Sequence, residues 1–211
     1  MPDGFVILAF VAASLAVLLT PGPGVAYVTA RGLAQGKRAG LVSAAGLSAG
    51  AYIHVLAAAA GLSSLLLASA TAFTIVKYAG AAYLIYLGLR LLFGGAGKAA
   101  QSRAPQTASA ARLFTDGVMV SALNPKIALF FLAFLPQFID PAAGPVTVQI
   151  LGLGLLYCVI ALITDGAYGL FAAHVRDWTA TRWSRSRLPR VLSGSIFIGL
   201  GIQTALTERP G

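Results

Sequence analysis

The stretch Thr20-Pro21-Gly22-Pro23-Gly24 interrupts an apolar segment, residues 4–30, that contains no charged side chain and is long enough to cross a lipid bilayer. A proline inside a helix removes one backbone hydrogen bond and clashes with the preceding turn, at a cost of about 3 kcal/mol. Hydrocarbon offers no water to satisfy the freed groups, so such a break persists only where protein or a wet cavity satisfies them. The stretch therefore predicts a broken membrane helix whose exposed backbone faces the protein interior.

A second interruption, Leu123-Asn124-Pro125-Lys126, falls inside another apolar segment later in the chain. Paired breaks at corresponding positions of two halves are typical of the binding site of a transporter. A broken helix exposes backbone amides with a positive partial charge at its new N-terminus. We expect the amides after Pro23 to bind a substrate carboxylate, with further hydrogen bonds from Thr20, Tyr27 and Asn124. The alternative is that the prolines only kink helices to fit a bundle.

The composition excludes a soluble domain with a single buried core. Of the 211 residues, 58% are hydrophobic and 10% are charged, and the mean hydropathy of +0.83 is typical of a protein with several membrane spans. The formal net charge of +9 does not indicate nucleic-acid binding, because the basic residues fall in short segments between apolar runs, as the positive-inside rule expects. A single cysteine, Cys158, excludes an internal disulfide and a dithiol redox pair.

Apolar runs predict six membrane spans, at about residues 4–30, 39–67, 71–93, 114–139, 146–173 and 191–206. The first segment carries Asp3 instead of the basic start of a signal peptide, so we interpret it as a retained span. Connecting segments follow from composition: a short basic turn at 32–38, a Pro/Gly turn at 140–145 and a basic segment at 176–190. In span two, Gly46-x-x-x-Gly50 offers a small face for close helix packing, which would also permit a homodimer.

A Gly-, Ala- and Ser-rich linker at residues 94–111 divides the single domain, 1–211, into half-repeats at about 1–93 and 112–211. Because each half has three spans, the two halves enter the membrane from opposite sides, and any repeat is inverted. The tripeptide Gly-Ala-Tyr, at residues 50–52 and again at 166–168, supports such a repeat. The predicted fold class is an all-α membrane protein of six transmembrane helices, a 3+3 inverted repeat with broken first and fourth helices.

The orientation in the membrane follows from the basic residues. Most of the 15 lysines and arginines lie in the loops after spans one, three and five, Arg31 among them. The positive-inside rule therefore predicts that these loops are cytoplasmic and that both termini lie on the other side. Asp116 is close to the cytoplasmic end of span four, where we expect it at the membrane interface.

Three ionisable residues lie at membrane depth, where a charge costs about 2.5–3.5 kcal/mol on insertion scales and usually faces the interior. Lys126 is predicted to bind an anionic substrate group or to pair with Asp165; the alternative is a lysine that extends to the membrane interface. Asp165 is predicted to carry the coupling proton, because a carboxyl group in a low dielectric readily takes one up; the alternative is a structural ion pair. His54 is a second candidate for proton coupling, although a lone histidine among alanines often only hydrogen-bonds its neighbours. The candidate substrate-binding residues are Thr20, Pro21, Gly22, Pro23, Gly24, Tyr27, Asn124, Pro125 and Lys126.

The chain lacks the motifs of common energy-coupling and enzyme sites. Gly94-Gly95-Ala96-Gly97-Lys98 has neither the spacing nor the hydroxyl of a phosphate-binding loop. Cys158, His54 and His174 do not form a metal-ligand cluster, and no nucleophile elbow or zinc-protease motif occurs. We therefore predict a transporter rather than an enzyme, without cofactor or metal, whose energy comes from an ion gradient.

A set of motifs spread along the chain carries a family resemblance. They are Thr20-Pro21-Gly22-Pro23, the turn from Arg31-Gly32 to Gly40, Gly46-x-x-x-Gly50-x-x-x-His54, Gly80-x-x-Tyr83-Leu84-x-Tyr86-Leu87-Gly88, and Leu123-Asn124-Pro125-Lys126 followed by Phe130-Phe131-Leu132-x-Phe134-Leu135-Pro136-Gln137-Phe138. Together they resemble the LysE/RhtB family of bacterial amino-acid exporters over nearly the whole chain. The resemblance implies a multi-pass exporter of amino acids or close derivatives in the bacterial inner membrane, with periplasmic termini, working as a proton antiporter. Its partners would be the amino acid, protons and the lipid bilayer.

One position departs from the pattern of that family. Where many members carry an acidic residue after the Gly-x-x-x-Gly motif, this chain has Ala51. A cationic substrate would need a second buried carboxylate, so the departure favours a neutral amino acid such as homoserine, threonine or a branched-chain residue.

Other function classes stay open as alternatives. Within transport, the alternative is efflux of another small solute or an ion. A thiol electron carrier is disfavoured by the single Cys158, and an intramembrane hydrolase by the absence of a Ser/His or paired-Asp motif. A membrane assembly subunit that transports nothing is the remaining alternative.

Overall fold

The computed structural model describes residues 3–61 and 108–183, together with isolated helical positions within 78–89 and 195–206. Within these residues the chain is helical and contains no β-strand, which confirms the predicted all-α class. The α-helices with defined bounds are α1 (Gly4–Leu19), α2 (Pro23–Gln35), α3 (Lys37–Ala59), α4 (Ala110–Ala122), α5 (Pro125–Leu129) and α6 (Val146–Trp183). Most of predicted spans three and six, and most of the linker between the halves, lie outside the described residues.

The first predicted break is present, and it separates α1 from α2. Thr20 and Gly22 have extended backbones, and Pro23 occupies the first turn of α2, where its missing N–H costs nothing. The two helices meet at an angle of 59°, and together they are long and apolar enough for one broken span. Two further helical segments, Lys37–Ala59 and Val146–Trp178, meet the same criteria singly, so the described residues contain two or three candidate spans.

The second predicted break is also present, between α4 and α5. Asn124 has an extended backbone, and its side-chain oxygen accepts a hydrogen bond from the amide of Lys126 at 3.0 Å. Pro125 then opens α5, as Pro23 opens α2. The helical path continues as a π-helical turn (Phe130–Phe134) and a 3-10 turn (Leu135–Phe138). A π-helical turn is uncommon and is frequently found beside functional sites.

Three element boundaries differ from those predicted. The predicted basic turn at 32–38 is reduced to Gly36, whose φ of 85° allows α2 to pass into α3 within one residue. α3 ends at Ala59 instead of continuing to residue 67, and Gly61, just beyond this end, adopts a φ of 75°, which a helix does not accommodate. α6 continues to Trp183, ten residues beyond the predicted end, because residues 174–183 contain neither proline nor glycine.

The centre of the bundle is α3, which packs against α4 and α6 through glycines. A Cβ atom at Gly46 would collide with the carbonyl oxygen of Phe114, and one at Gly50 would lie 2.7 Å from Cβ of Ser121. On the other side, Gly40 packs directly against the backbone of Gly169. The predicted small face of span two therefore serves close packing within the chain. A homodimer stays a prediction, but it would need another surface.

Candidate functional site

One cavity lies where the two helix breaks meet. It is bordered by residues of all six helices and of the second break: Leu18, Gly24, Val25, Leu47, Ala51, Ser121, Asn124, Lys126, Ile127, Tyr157, Ala161 and Asp165. The first turn of α2 contributes Gly24 and Val25, whose amides have no acceptor within their own helix. The cavity volume is about 20 Å³, which is enough for roughly one ordered water.

Lys126 connects the two breaks directly. Its Nζ donates hydrogen bonds to the carbonyl oxygen of Val17 at 2.9 Å and to that of Thr20 at 2.8 Å. These carbonyls belong to the end of α1, where the oxygens lack intrahelical partners and carry a negative partial charge. The side chain therefore crosses to the first break instead of extending towards a membrane interface. An ammonium group has three N–H donors, so one remains for a further acceptor.

Asp165 faces the same cavity from α6 and is buried, with 7% of its surface exposed. It is close enough to Lys126 for the two charges to interact electrostatically. Within the described residues, however, the ion pairs closer than 4.0 Å are those of Arg31 with Asp116 and Arg176 with Asp177. Lys126 and Asp165 thus share the cavity without direct contact.

The remaining residues predicted at the first break do not line the cavity. Thr20 uses its hydroxyl to donate to the carbonyl of Ala16 at 2.7 Å, and its own carbonyl accepts from Lys126. Tyr27 is fully buried and donates to the carbonyl of Leu113 at 2.7 Å, so its hydroxyl joins α2 to α4 away from the cavity lining. The predicted residues outside the lining of the cavity are Thr20, Pro21, Gly22, Pro23, Tyr27, His54 and Pro125.

His54 lies behind the cavity, on α3. Its Nε2 is 3.1 Å from the carbonyl oxygen of Ser121, and its ring stacks on Phe131 with centroids 6.4 Å apart. Ser121 is in the last turn of α4, so His54 contacts the end of this broken helix as Lys126 contacts the end of α1. At each break, a basic side chain from another part of the chain thus meets carbonyls that lack an intrahelical partner.

A buried ion pair joins α2 to α4 some distance from the cavity. Nη2 of Arg31 lies 3.1 Å from Oδ2 of Asp116, and both side chains are almost fully buried. The Tyr83 hydroxyl donates to Oδ1 of Asp116 at 3.1 Å, and the Arg31 guanidinium lies 5.3 Å from the ring centre of Tyr27. Asp116, expected near the cytoplasmic end of its span, is therefore buried within the protein and paired. The assignment of Arg31 to a loop is wrong, because α2 continues beyond Arg31 to Gln35.

Comparison of the sequence with known proteins identifies the family. The sequence profile of LysE type translocators matches residues 15–208. The chain belongs to the LysE-type translocator family. Members of the family are transporters, which confirms the predictions of a membrane transport protein and of a non-enzyme.

Two relatives whose names state a function resemble this LysE-type translocator along most of their length. A homoserine/homoserine lactone efflux protein of Salmonella typhimurium is 34% identical over 92% of this chain and 92% of its own length. A leucine efflux protein of Klebsiella pneumoniae is 30% identical over 95% of both chains. An uncharacterized membrane protein of Vibrio cholerae is 32% identical over 98% of this chain. No solved structure matches the sequence.

Sequence motifs located both breaks of this LysE-type translocator, but they did not find the Arg31–Asp116 pair. A signal for the pair is visible in hindsight. Arg31 follows Pro23 by eight residues, and Asp116 precedes Asn124 by eight. Each charge therefore lies about 12 Å along its helix from its break.

Proposed function

We propose that the chain exports small neutral amino acids from the bacterial cytoplasm, by binding them as zwitterions at the paired breaks. The proposal is supported by family membership and by relatives whose names specify efflux of homoserine, homoserine lactone or leucine. The observation that carries it is the placement of Lys126 and Asp165 on one buried cavity without an ion pair between them. Each of the two charges can then engage a separate part of a ligand.

The carboxylate of the substrate binds at the breaks. The third N–H donor of Lys126 is available after its two bonds to α1, and Gly24 and Val25, whose amides have no acceptor within α2, border the same cavity. Charged donors and helix N-terminal amides both favour carboxylates. Asp165 binds the substrate ammonium group on the α6 side, because a buried carboxylate is stabilised by a cation that donates hydrogen bonds to it.

The rest of the lining selects a neutral side chain. Most of it is apolar, contributed by Leu18, Leu47, Ala51, Ile127 and Ala161. Ala51 is fully buried and supplies no second carboxylate for a cationic side chain. An unpaired cationic side chain would cost several kcal/mol at this depth, so lysine or arginine would be excluded.

Coupling to protons follows because Asp165 binds the substrate ammonium group and a proton in turn. When the ammonium group leaves, a proton neutralises the buried carboxylate, so export in one direction is exchanged for proton entry in the other. His54 remains a second candidate for this role through its contact with the end of α4. The present cavity holds roughly one water, so the helices around the breaks must separate before an amino acid enters.

The two breaks support an inverted repeat within one domain, residues 1–211, with half-repeats at about 1–93 and 112–211. Pro23 and Pro125 each open the helix after a break, and Lys126 and His54 each contact carbonyls at the end of the helix before one. We therefore retain six spans in a 3+3 arrangement, in the inner membrane with periplasmic termini. Basic residues of the extended α6 agree with a cytoplasmic end for that helix.

Counterflow in proteoliposomes tests the proposal. Vesicles loaded with unlabelled amino acid should accumulate labelled serine, threonine, homoserine or leucine, and lysine should neither exchange nor compete. A pH gradient should drive accumulation without a counter-substrate. If no amino acid in a complete panel exchanges, the proposal fails, and efflux of another solute or ion, or an assembly role without transport, takes its place.

A further inference from the structure

Two buried hydroxyl groups at the cavity have no hydrogen-bond partner in the part of the chain that the structure describes. Ser121 and Tyr157 both border the cavity and are fully buried. Within the described residues, neither Oγ of Ser121 nor the phenolic oxygen of Tyr157 is hydrogen-bonded. A buried polar group left unsatisfied destabilises the folded protein, and native proteins contain few of them. Two such groups on one small cavity indicate that a ligand satisfies them.

The Tyr157 hydroxyl is held in a fixed position. Its ring packs between Phe130 and Phe131, with centroid distances of 4.8 and 4.9 Å. Tyr157 precedes Asp165 by about two helical turns on α6, and the two groups are close enough to interact electrostatically. A donor fixed by its surroundings discriminates between ligands more strongly than a mobile one.

Ser121 is fixed from the opposite side. Its Cβ packs closely against Gly50 of α3: a Cβ atom added to Gly50 would lie only 2.7 Å from that of Ser121. Its carbonyl is engaged by His54 at 3.1 Å. A helical serine often bonds the carbonyl one turn earlier, but the Ser121 hydroxyl makes no such bond. It therefore remains available beside the second break.

We infer that Ser121 and Tyr157 bind a hydroxyl group on the substrate side chain, so that the carrier selects hydroxy amino acids over aliphatic ones of the same shape. The inference rests on the proposed function and names its substrate class. An aliphatic side chain would leave both protein hydroxyls unpaired, whereas a substrate hydroxyl donates to one and accepts from the other. Sites built to bind a hydroxyl reject analogues that lack it far more strongly than apolar sites reject an added one.

Threonine and valine are the decisive pair, because they differ only by a hydroxyl in place of a methyl group. In counterflow competition we expect threonine to compete at least tenfold more strongly than valine. Tyr157→Phe and Ser121→Ala should each lower this ratio by weakening threonine while leaving valine unchanged or improved. The double variant should bring the ratio close to one. Valine exchange then serves as the readout that the variants are folded and active.

Ser14→Ala is the matched control. Ser14 is fully buried, and its hydroxyl also lacks a partner within the described residues, but it lies outside the cavity lining. Its replacement should leave the ratio unchanged. Equal competition by threonine and valine in the wild-type protein would overturn the inference while leaving amino-acid export intact. An undiminished preference in both single variants and in the double variant would show that the two hydroxyls bind only water.

Discussion

Nζ of Lys126 lies 2.8 Å from the carbonyl oxygen of Thr20. The helix that follows the second break therefore supplies a hydrogen-bond donor to a carbonyl at the first break. A second carbonyl, that of Val17, accepts from the same ammonium group at 2.9 Å. Both oxygens belong to a helix end within a candidate membrane span, and hydrocarbon offers no water to donate in place of the lysine. One side chain therefore stabilises the break and presents a positive charge to the cavity. These two roles can be separated by substitution.

Replacing Lys126 by glutamine keeps a hydrogen-bond donor near the carbonyls but removes the charge, whereas methionine removes both. We expect both variants to lose exchange by about 10–100-fold, the equivalent of one charged hydrogen bond. Only Lys126→Met should also lose stability, by about 1–3 kcal/mol, because it leaves carbonyls unpaired. Counterflow and thermal unfolding in detergent measure the two effects. Wild-type exchange in Lys126→Gln would show that the positive charge is not needed for transport.

Asp165→Asn keeps the shape of the side chain and removes its charge. Exchange and accumulation driven by a pH gradient should both be abolished, because an amide neither attracts the ammonium group nor carries the proton. The protein should remain folded and become equally or more stable, since a buried carboxylate without an ion pair is expensive. Flux assays with unfolding curves on the same preparation check this. Normal flux together with lower stability would assign Asp165 a structural role.

Because Arg31 and Asp116 form a buried ion pair, we expect the stability losses from substituting them to be non-additive. Asp116→Leu leaves a buried guanidinium without its carboxylate, and Arg31→Met leaves the buried carboxylate without its guanidinium. We expect each single variant to lose about 3–5 kcal/mol of stability. The double variant Arg31→Met with Asp116→Leu should recover most of that loss, because well-packed apolar residues replace buried ion pairs at little cost. Unfolding of the four proteins in a double-mutant cycle gives the coupling energy. Additive losses would mean that the two charges do not depend on each other.

A structural feature can be predicted from the sequence when neighbouring residues cause it. Pro23 and Pro125 break helices through their own rings and missing N–H groups, so both breaks could be predicted from neighbouring residues alone. The small face at Gly46 and Gly50 was predicted for the same reason, since the absence of a side chain permits close approach whatever the partner is.

The sequence did not predict which groups meet across the bundle. Lys126 was expected at a substrate site, but its bonds to Val17 and Thr20 depend on how α5 sits against α1. The position of Asp116 near a span end does not reveal that Arg31 pairs with it inside the protein. The unpaired hydroxyls of Ser121 and Tyr157 could not be foreseen either, because a hydroxyl is recognised as unpaired only when its surroundings are known.

Substitutions at two glycines test whether a helix glycine is needed for close packing. Gly46→Ala places a Cβ against the carbonyl of Phe114, and Gly152→Ala, on α6, places one in open space. We expect Gly46→Ala to destabilise the protein by about 1–3 kcal/mol, because α3 and α4 must move apart. Gly152→Ala should stabilise it by about 0.5–1 kcal/mol, because alanine favours a helix interior over glycine. Thermal unfolding of both variants measures these changes. Equal shifts of the unfolding temperature in the same direction would show that the α3–α4 contact is not closely packed.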